Sequence, residues 1–380
     1  SDKLAPQLSR SKQSGTGASA IETDANFSLE VMWTDWQAPN KISNADNPVV
    51  FTKSDFQIDT SEFTDPDAGA RQLTLSLHGK DMPLLLKVVY RLDPKSFYVR
   101  RKVTLSDTSN AGHFLQHIAP IDADLNGKPS IVKSGGFGQP VAFRLGKIGG
   151  FFGLEYPTSD NSIMAGQPRP HVRCMEEIGE KIGSPGVESE WAVEGVTPDE
   201  NVKLWFMRYV DDIRVAPLKP YTLYNSWYDL RSAEYPKVAD EHVMNEQNIF
   251  RIIDLIRKNM IEKHDIQLDA FVLDDGWDVY ESDWVLREKQ FPRGLKPISD
   301  ELKKTNTGLG LWLGPTGGYS FRMKRINWMK SHGYEVVGHT RNTAMMCLGG
   351  TTYGELFKKR TVDFVANEGV SFFKWDGIQF

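Results

Sequence analysis

Two short apolar runs in this sequence end in residues that could do chemistry. One is Ser371-Phe372-Phe373-Lys374-Trp375-Asp376-Gly377, and the other is Val272-Leu273-Asp274-Asp275-Gly276-Trp277. Each reads as a buried strand closed by a turn glycine. In a strand, residues two apart share a face, so Lys374 and Asp376 project together and Trp375 points away. A lysine beside an aspartate favours the ionised carboxylate. A fixed, ionised carboxylate at a strand end is the nucleophile that covalent glycosyl transfer requires. Adjacent carboxylates such as Asp274 and Asp275 repel, so a strand that ends in both needs a reason. Hydrogen bonds to polyol hydroxyls would supply one, as would a metal ion. No further oxygen-ligand cluster stands nearby, which favours a sugar. The plain alternatives are a salt bridge at a sheet edge for Lys374 and Asp376, and an ordinary Asp-Gly turn for Asp275-Gly276.

The elements that must position these groups occupy the second half of the chain. Tyr221–Trp227, Leu268–Leu273, Leu309–Gly314 and the terminal heptapeptide read as strands. Helices fall between them: Ile249, Ile252, Ile253, Ile256 and Met260 recur at helical spacing, and 321–332 and 353–368 are also helical in pattern. Strands alternating with helices predict a parallel sheet. Its polar groups gather at strand C-termini, where the active sites of (β/α)₈ barrels sit. A doubly wound sheet binding metal or phosphate is a weaker alternative, because no glycine-rich phosphate loop follows the first strand.

The first half differs. From 26 to 215, short alternating runs such as Leu73–Leu77, Leu84–Tyr90 and Phe97–Leu105 predict an antiparallel β-sandwich. Within it, Arg100-Arg101-Lys102 reads as a solvated face. Residues 1–25 are polar and predict a flexible arm, and Ala216–Pro220 is a proline-bracketed boundary. The domains are therefore 1–25, 26–215 and 216–380.

A net charge of -5 over 380 residues gives no electrostatic case for nucleic acid or an anionic membrane, and no apolar run is long enough to span one. Two cysteines, Cys174 and Cys347, read as free and buried, with a single bridge left open. His242, His264, His332 and His339 lack ligand spacing such as HExxH, so no metal or cofactor is called for.

The second half resembles glycoside hydrolase family 36 and its clan D relatives, the α-galactosidase group. The resemblance rests on Tyr224–Tyr228, Val272–Trp277, Asp283-Trp284 with Phe291–Leu295, Gly308–Trp312 and Phe373–Asp376, in order across 221–380. It implies a β-sandwich followed by a (β/α)₈ barrel, of which this chain holds the first half. It makes Asp376 the nucleophile and has Lys374 bond sugar hydroxyls. Asp274 and Asp275 would accept hydrogen bonds from the C4 and C6 hydroxyls of a galactose-like ring. Trp227 and Trp312 would line the pocket, though core packing stands beside that reading for both. Trp277, Trp284 and Trp375 read as structural, and Arg341 is aligned with a substrate-contacting arginine.

The expected activity is retaining, exo-acting hydrolysis of terminal α-linked galactose without a cofactor. An α-N-acetylgalactosaminidase, a raffinose-synthase-like transglycosylase and a non-catalytic sugar-binding protein remain alternatives. Gly377-Ile378-Gln379 departs from the family pattern after the nucleophile, and the segment around Cys347 lacks an expected acid. The general acid/base and the remaining strands are expected from sequence beyond Phe380. The partner is a carbohydrate, a homo-oligomer is compatible with the sequence, and a secreted or periplasmic location is the expectation.

Overall fold

In a computed structural model of the chain, residues 26–32, 48–67, 69–109, 113–164, 169–338 and 340–377 are described. The arm expected over 1–25, His339 and Ile378-Gln379 lie outside them. The chain divides into two compact units, Ser1–Pro217 and Leu218–Phe380. No described helix is long and apolar enough to cross a membrane. Both cysteines are free; Cys174 is buried and Cys347 half-buried.

Fourteen described strands of the first unit form one continuous antiparallel sheet. The strands that end its path, Val49–Thr52 and Phe56–Thr64, are joined by the short turn Lys53–Asp55, so the sheet nearly closes on itself. Alternation dictates the core. In Leu84–Leu92, the inward residues Leu84, Leu86 and Val88 are buried while Leu85 and Lys87 are exposed. They meet Leu29, Val31, Leu115 and Ile118 from strands at the other end of the path. Each such side chain contributes roughly 1.5–3 kcal/mol on burial.

Two expectations for this unit are corrected. Arg101 is not on a solvated face: it is 1% exposed and paired with Glu194 at 2.8 Å. Residues at alternate positions of one strand must face opposite ways, so Arg100 and Lys102 reach Glu155 and Glu188 outside while Arg101 points in. In addition, Val202–Ile213 is an α-helix within a stretch expected to be all strand. Its Val202, Phe206, Tyr209, Val210 and Ile213 pack against Phe151 and Val193 of the sheet, and Asn201 caps its start by accepting from the Leu204 N–H.

The second unit alternates strands and helices as its periodicity dictates. Four parallel strands, Leu223–Asn225, Ala270–Leu273, Gly308–Leu313 and Val370–Trp375, lie side by side in chain order. The order never reverses, so the switch point of a doubly wound sheet is absent among the described strands. Phe271, Leu273, Leu309, Leu311 and Leu313 share a core with Ile249, Ile252 and Ile253 of helix Glu246–Ile256. Ile298, Leu302, Ile326, Met329, Tyr353, Phe357 and Phe364 of the later helices complete that core. The alternate residues Val272 and Lys374 lie outside that core, whereas Trp312, which also alternates with Leu311 and Leu313, still packs against Trp284 within it.

Candidate active site

Register brings the chemistry together. Leu273 pairs with Leu311, and Trp312 pairs with Lys374. Asp274, one residue past Leu273, therefore comes level with Trp312 and Lys374 across three strands. Paired residues of a parallel sheet point to the same side, so the three come together on one side of the strand ends. The Lys374 ammonium reaches over the middle strand and donates to Asp274 Oδ2 at 2.6 Å.

This corrects the expectation that Lys374 serves Asp376. The strand ends at Trp375, and Asp376 turns with Gly377, whose φ is 61°. The Asp376 carboxylate is held instead by the Trp312 indole N–H at 3.0 Å and the Gly377 N–H at 2.7 Å. The Asp376 N–H still donates to the Leu313 carbonyl, which fixes the residue at the sheet's end. Asp274 is only 2% exposed, so it needs a counter-charge more than a partly open carboxylate does.

Asp274 and Asp275 have separate surroundings. The Asp275 N–H donates to Asp274 Oδ1 at 2.8 Å, and the Asp274 N–H donates to the Ser226 hydroxyl at 2.9 Å. Asp275, 1% exposed, accepts from the Tyr280 hydroxyl at 3.1 Å and the Ser320 N–H at 2.8 Å. Burial pushes its carboxyl up to about 6 despite these donors, with Asp278 adding to the rise. It thus ties the loop after the third strand to the end of the second. Gly276 makes the turn possible: its φ is 128°, and a Cβ there would stand 2.8 Å from the Ser232 nitrogen.

Trp312 is 1% exposed, so it offers the site an N–H more than a ring face. Trp227 is half-buried, with the Arg231 guanidinium 4.2 Å over one face and Tyr319 edge-on at 6.0 Å. Trp277 and Trp284 are buried in the core, and the Trp277 indole donates to the Trp312 carbonyl. Trp375, expected to be structural, is 44% exposed against Phe357 and Phe373. Arg341 is not among the carboxylates: it lines a groove with Tyr319 and Arg322.

Sequence reasoning missed several supports. Thr316 donates to the Gly377 carbonyl, and Ser226, Tyr280 and Ser320 hold the two aspartates. Beneath them, Asp278 and Arg325, both fully buried, form an ion pair, with Arg325 stacked 3.7 Å over Trp284. Asp278 follows the Asp-Asp-Gly-Trp run directly, and a carboxylate after a buried tryptophan is the one signal that could have pointed to it.

The sequence model of the Melibiase family matches residues 244–379, which contain every one of these aspartates and Lys374. Solved structures extend the likeness to both units. A family 36 α-galactosidase, AgaB of Geobacillus stearothermophilus, is 13% identical with a TM-score of 0.60, over 92% of this chain and 54% of its own. An α-galactosidase from Lactobacillus brevis is 14% identical with a TM-score of 0.59, over 92% and 52%. A variant of G. stearothermophilus AgaA in complex with raffinose is 14% identical with a TM-score of 0.59, over 92% and 56%. At that identity the likeness is one of fold, and the chain spans about half the length of these structures. No curated protein matches. The resemblance to the family 36 α-galactosidases, read from five short motifs, is borne out by the family model over 244–379 and by the shared fold.

Proposed function

We propose that the protein is a retaining, exo-acting α-galactosidase and that its four parallel strands are the first half of a (β/α)₈ barrel. The observation that carries this is the meeting of three strand ends. Asp274, Trp312 and Lys374 stand level on one face, and Asp376 is pinned between the Trp312 and Gly377 N–H groups.

Each Asp376 oxygen accepts one hydrogen bond and keeps a lone pair. One of these attacks the anomeric carbon as the bond to the leaving oxygen breaks, giving a β-linked glycosyl-enzyme. A second carboxyl, about 5–5.5 Å away in a retaining enzyme, protonates the leaving oxygen. It then takes a proton from the water whose oxygen displaces Asp376, so two inversions give retention. That acid/base is expected on a barrel strand beyond the four described.

The Asp274–Lys374 pair presents an acceptor and a donor to adjacent sugar hydroxyls. Asp275 is engaged by Tyr280 and Ser320, so a role at the C4 or C6 hydroxyl would use its remaining lone pairs. Proton NMR of p-nitrophenyl α-galactoside hydrolysis tests the reading. α-Galactose as the first-formed product is expected. The β anomer would overturn retention, and a galactoside bound but recovered unchanged would favour a sugar-binding protein.

A further inference from the structure

A groove of about 440 Å³ is lined by Tyr319, Phe321, Arg322, Met323, Lys324, Arg341 and Asn342. Three of the seven are cations and none is acidic, in a chain whose net charge is -5. Lys324 is partly neutralised by Glu234 at 2.9 Å, but Glu234 also takes Arg287 at 2.6 Å. Glu281 is a more distant acid near Lys324. Among the described residues, neither Arg322 nor Arg341 has a carboxylate partner. Among those residues the Arg322 guanidinium donates only to the carbonyls of Arg341 and Ala344, and burial pulls it below the ordinary arginine value. An arginine partly withdrawn from water without a counter-ion is costly unless something anionic completes it.

The groove is joined to the proposed sugar site. Tyr319, 66% exposed, forms its rim and stands edge-on to Trp227. The next residue, Ser320, donates its N–H to Asp275. Tyr319 and the Trp227 face not covered by Arg231 are aromatic surfaces of the kind that stack on sugar rings.

We propose that this groove is the leaving-group side of the site and that it takes an anionic partner, a glycan or glycoside whose second residue carries a carboxylate or sulfate. The assignment rests on the glycosidase reading above. Arg341 then acts on the leaving group and not on the galactose-like ring.

Two measurements test it separately from that reading. Inorganic sulfate is titrated while the arginine Nε–Hε NMR signals are followed, with Arg322 and Arg341 assigned through R322Q and R341Q. Shifts at both signals, reversed by added sodium chloride, are expected. Signals unmoved by millimolar sulfate would overturn the proposal. The second measurement compares 4-carboxyphenyl and 4-carbamoylphenyl α-galactoside, matched in shape and differing in charge. The carboxylate is expected to bind about fivefold tighter, and R341Q to bring the ratio close to one. A ratio of one in the unaltered protein would overturn the groove and leave the glycosidase reading standing. Sulfate shifts with neither galactoside bound would sink the glycosidase reading, and the leaving-group assignment with it.

Discussion

Replacing Lys374 by methionine removes the only cation among the described residues that reaches Asp274. The carboxylate is 2% exposed and, among the described residues, would keep a single donor, the Asp275 N–H, with Oδ2 left bare. Breaking a fully buried pair costs about 3–5 kcal/mol. The Lys374 side chain is 35% exposed, so water can replace part of what is lost and about 2 kcal/mol is the better figure. A chain of two units need not unfold in one step, so a global midpoint is the wrong assay. Peptide-resolved hydrogen exchange over Ala270–Leu273 reads the affected strand directly. About 2 kcal/mol corresponds to roughly thirtyfold faster exchange there, with the first unit unchanged. Adding Asp274→Asn should restore most of the protection, because the amide has no charge to leave unpaired. A change under about threefold in K374M, or no recovery in D274N/K374M, would refute the electrostatic account of the pair.

Two further outcomes follow from the same strand ends. Asp275 binds its proton more tightly folded, at about 6, than unfolded, near the ordinary aspartate value. Its contribution to stability is thus fully present below about pH 4 and is lost as pH rises through 6, roughly 3 kcal/mol in all. Hydrogen exchange over Ala270–Leu273 in D275N, with the intrinsic pH dependence of exchange divided out, should show a flatter pH dependence between those limits, and an unchanged slope would contradict the assignment. Gly276→Ala should destabilise the second unit by about 2–3 kcal/mol, since its φ of 128° and the Ser232 nitrogen both exclude a Cβ. Faster exchange over Ala270–Leu273 would register it, and a neutral G276A would mean that the turn can relax.

Much of the second unit was legible because its signals are local. The helical recurrence of Ile249, Ile252 and Ile253 and the apolar strand runs each need only a few neighbours to be read. What was not legible depended on register. Alternation correctly placed Lys374 apart from Trp375, but only the pairing of Leu273 with Leu311 and of Trp312 with Lys374 sends the ammonium to Asp274. Arg101 was misread for a related reason. Three consecutive cations look solvated until the partner strand supplies Glu194 on the buried side. The helix Val202–Ile213 was overlooked although Asn201 and the spacing of Val202, Phe206 and Tyr209 announce it, because the surrounding strands set the expectation.

Covalent labelling with 2-deoxy-2-fluoro-α-galactosyl fluoride, followed by peptide mass spectrometry, tests the central claim most directly. Fluoride departs with little help from a general acid, so the reagent reports the nucleophile alone. The account predicts a single adduct on Asp376 that is absent in D376N. An adduct on another carboxylate, or none from a folded protein that binds galactose, would contradict it.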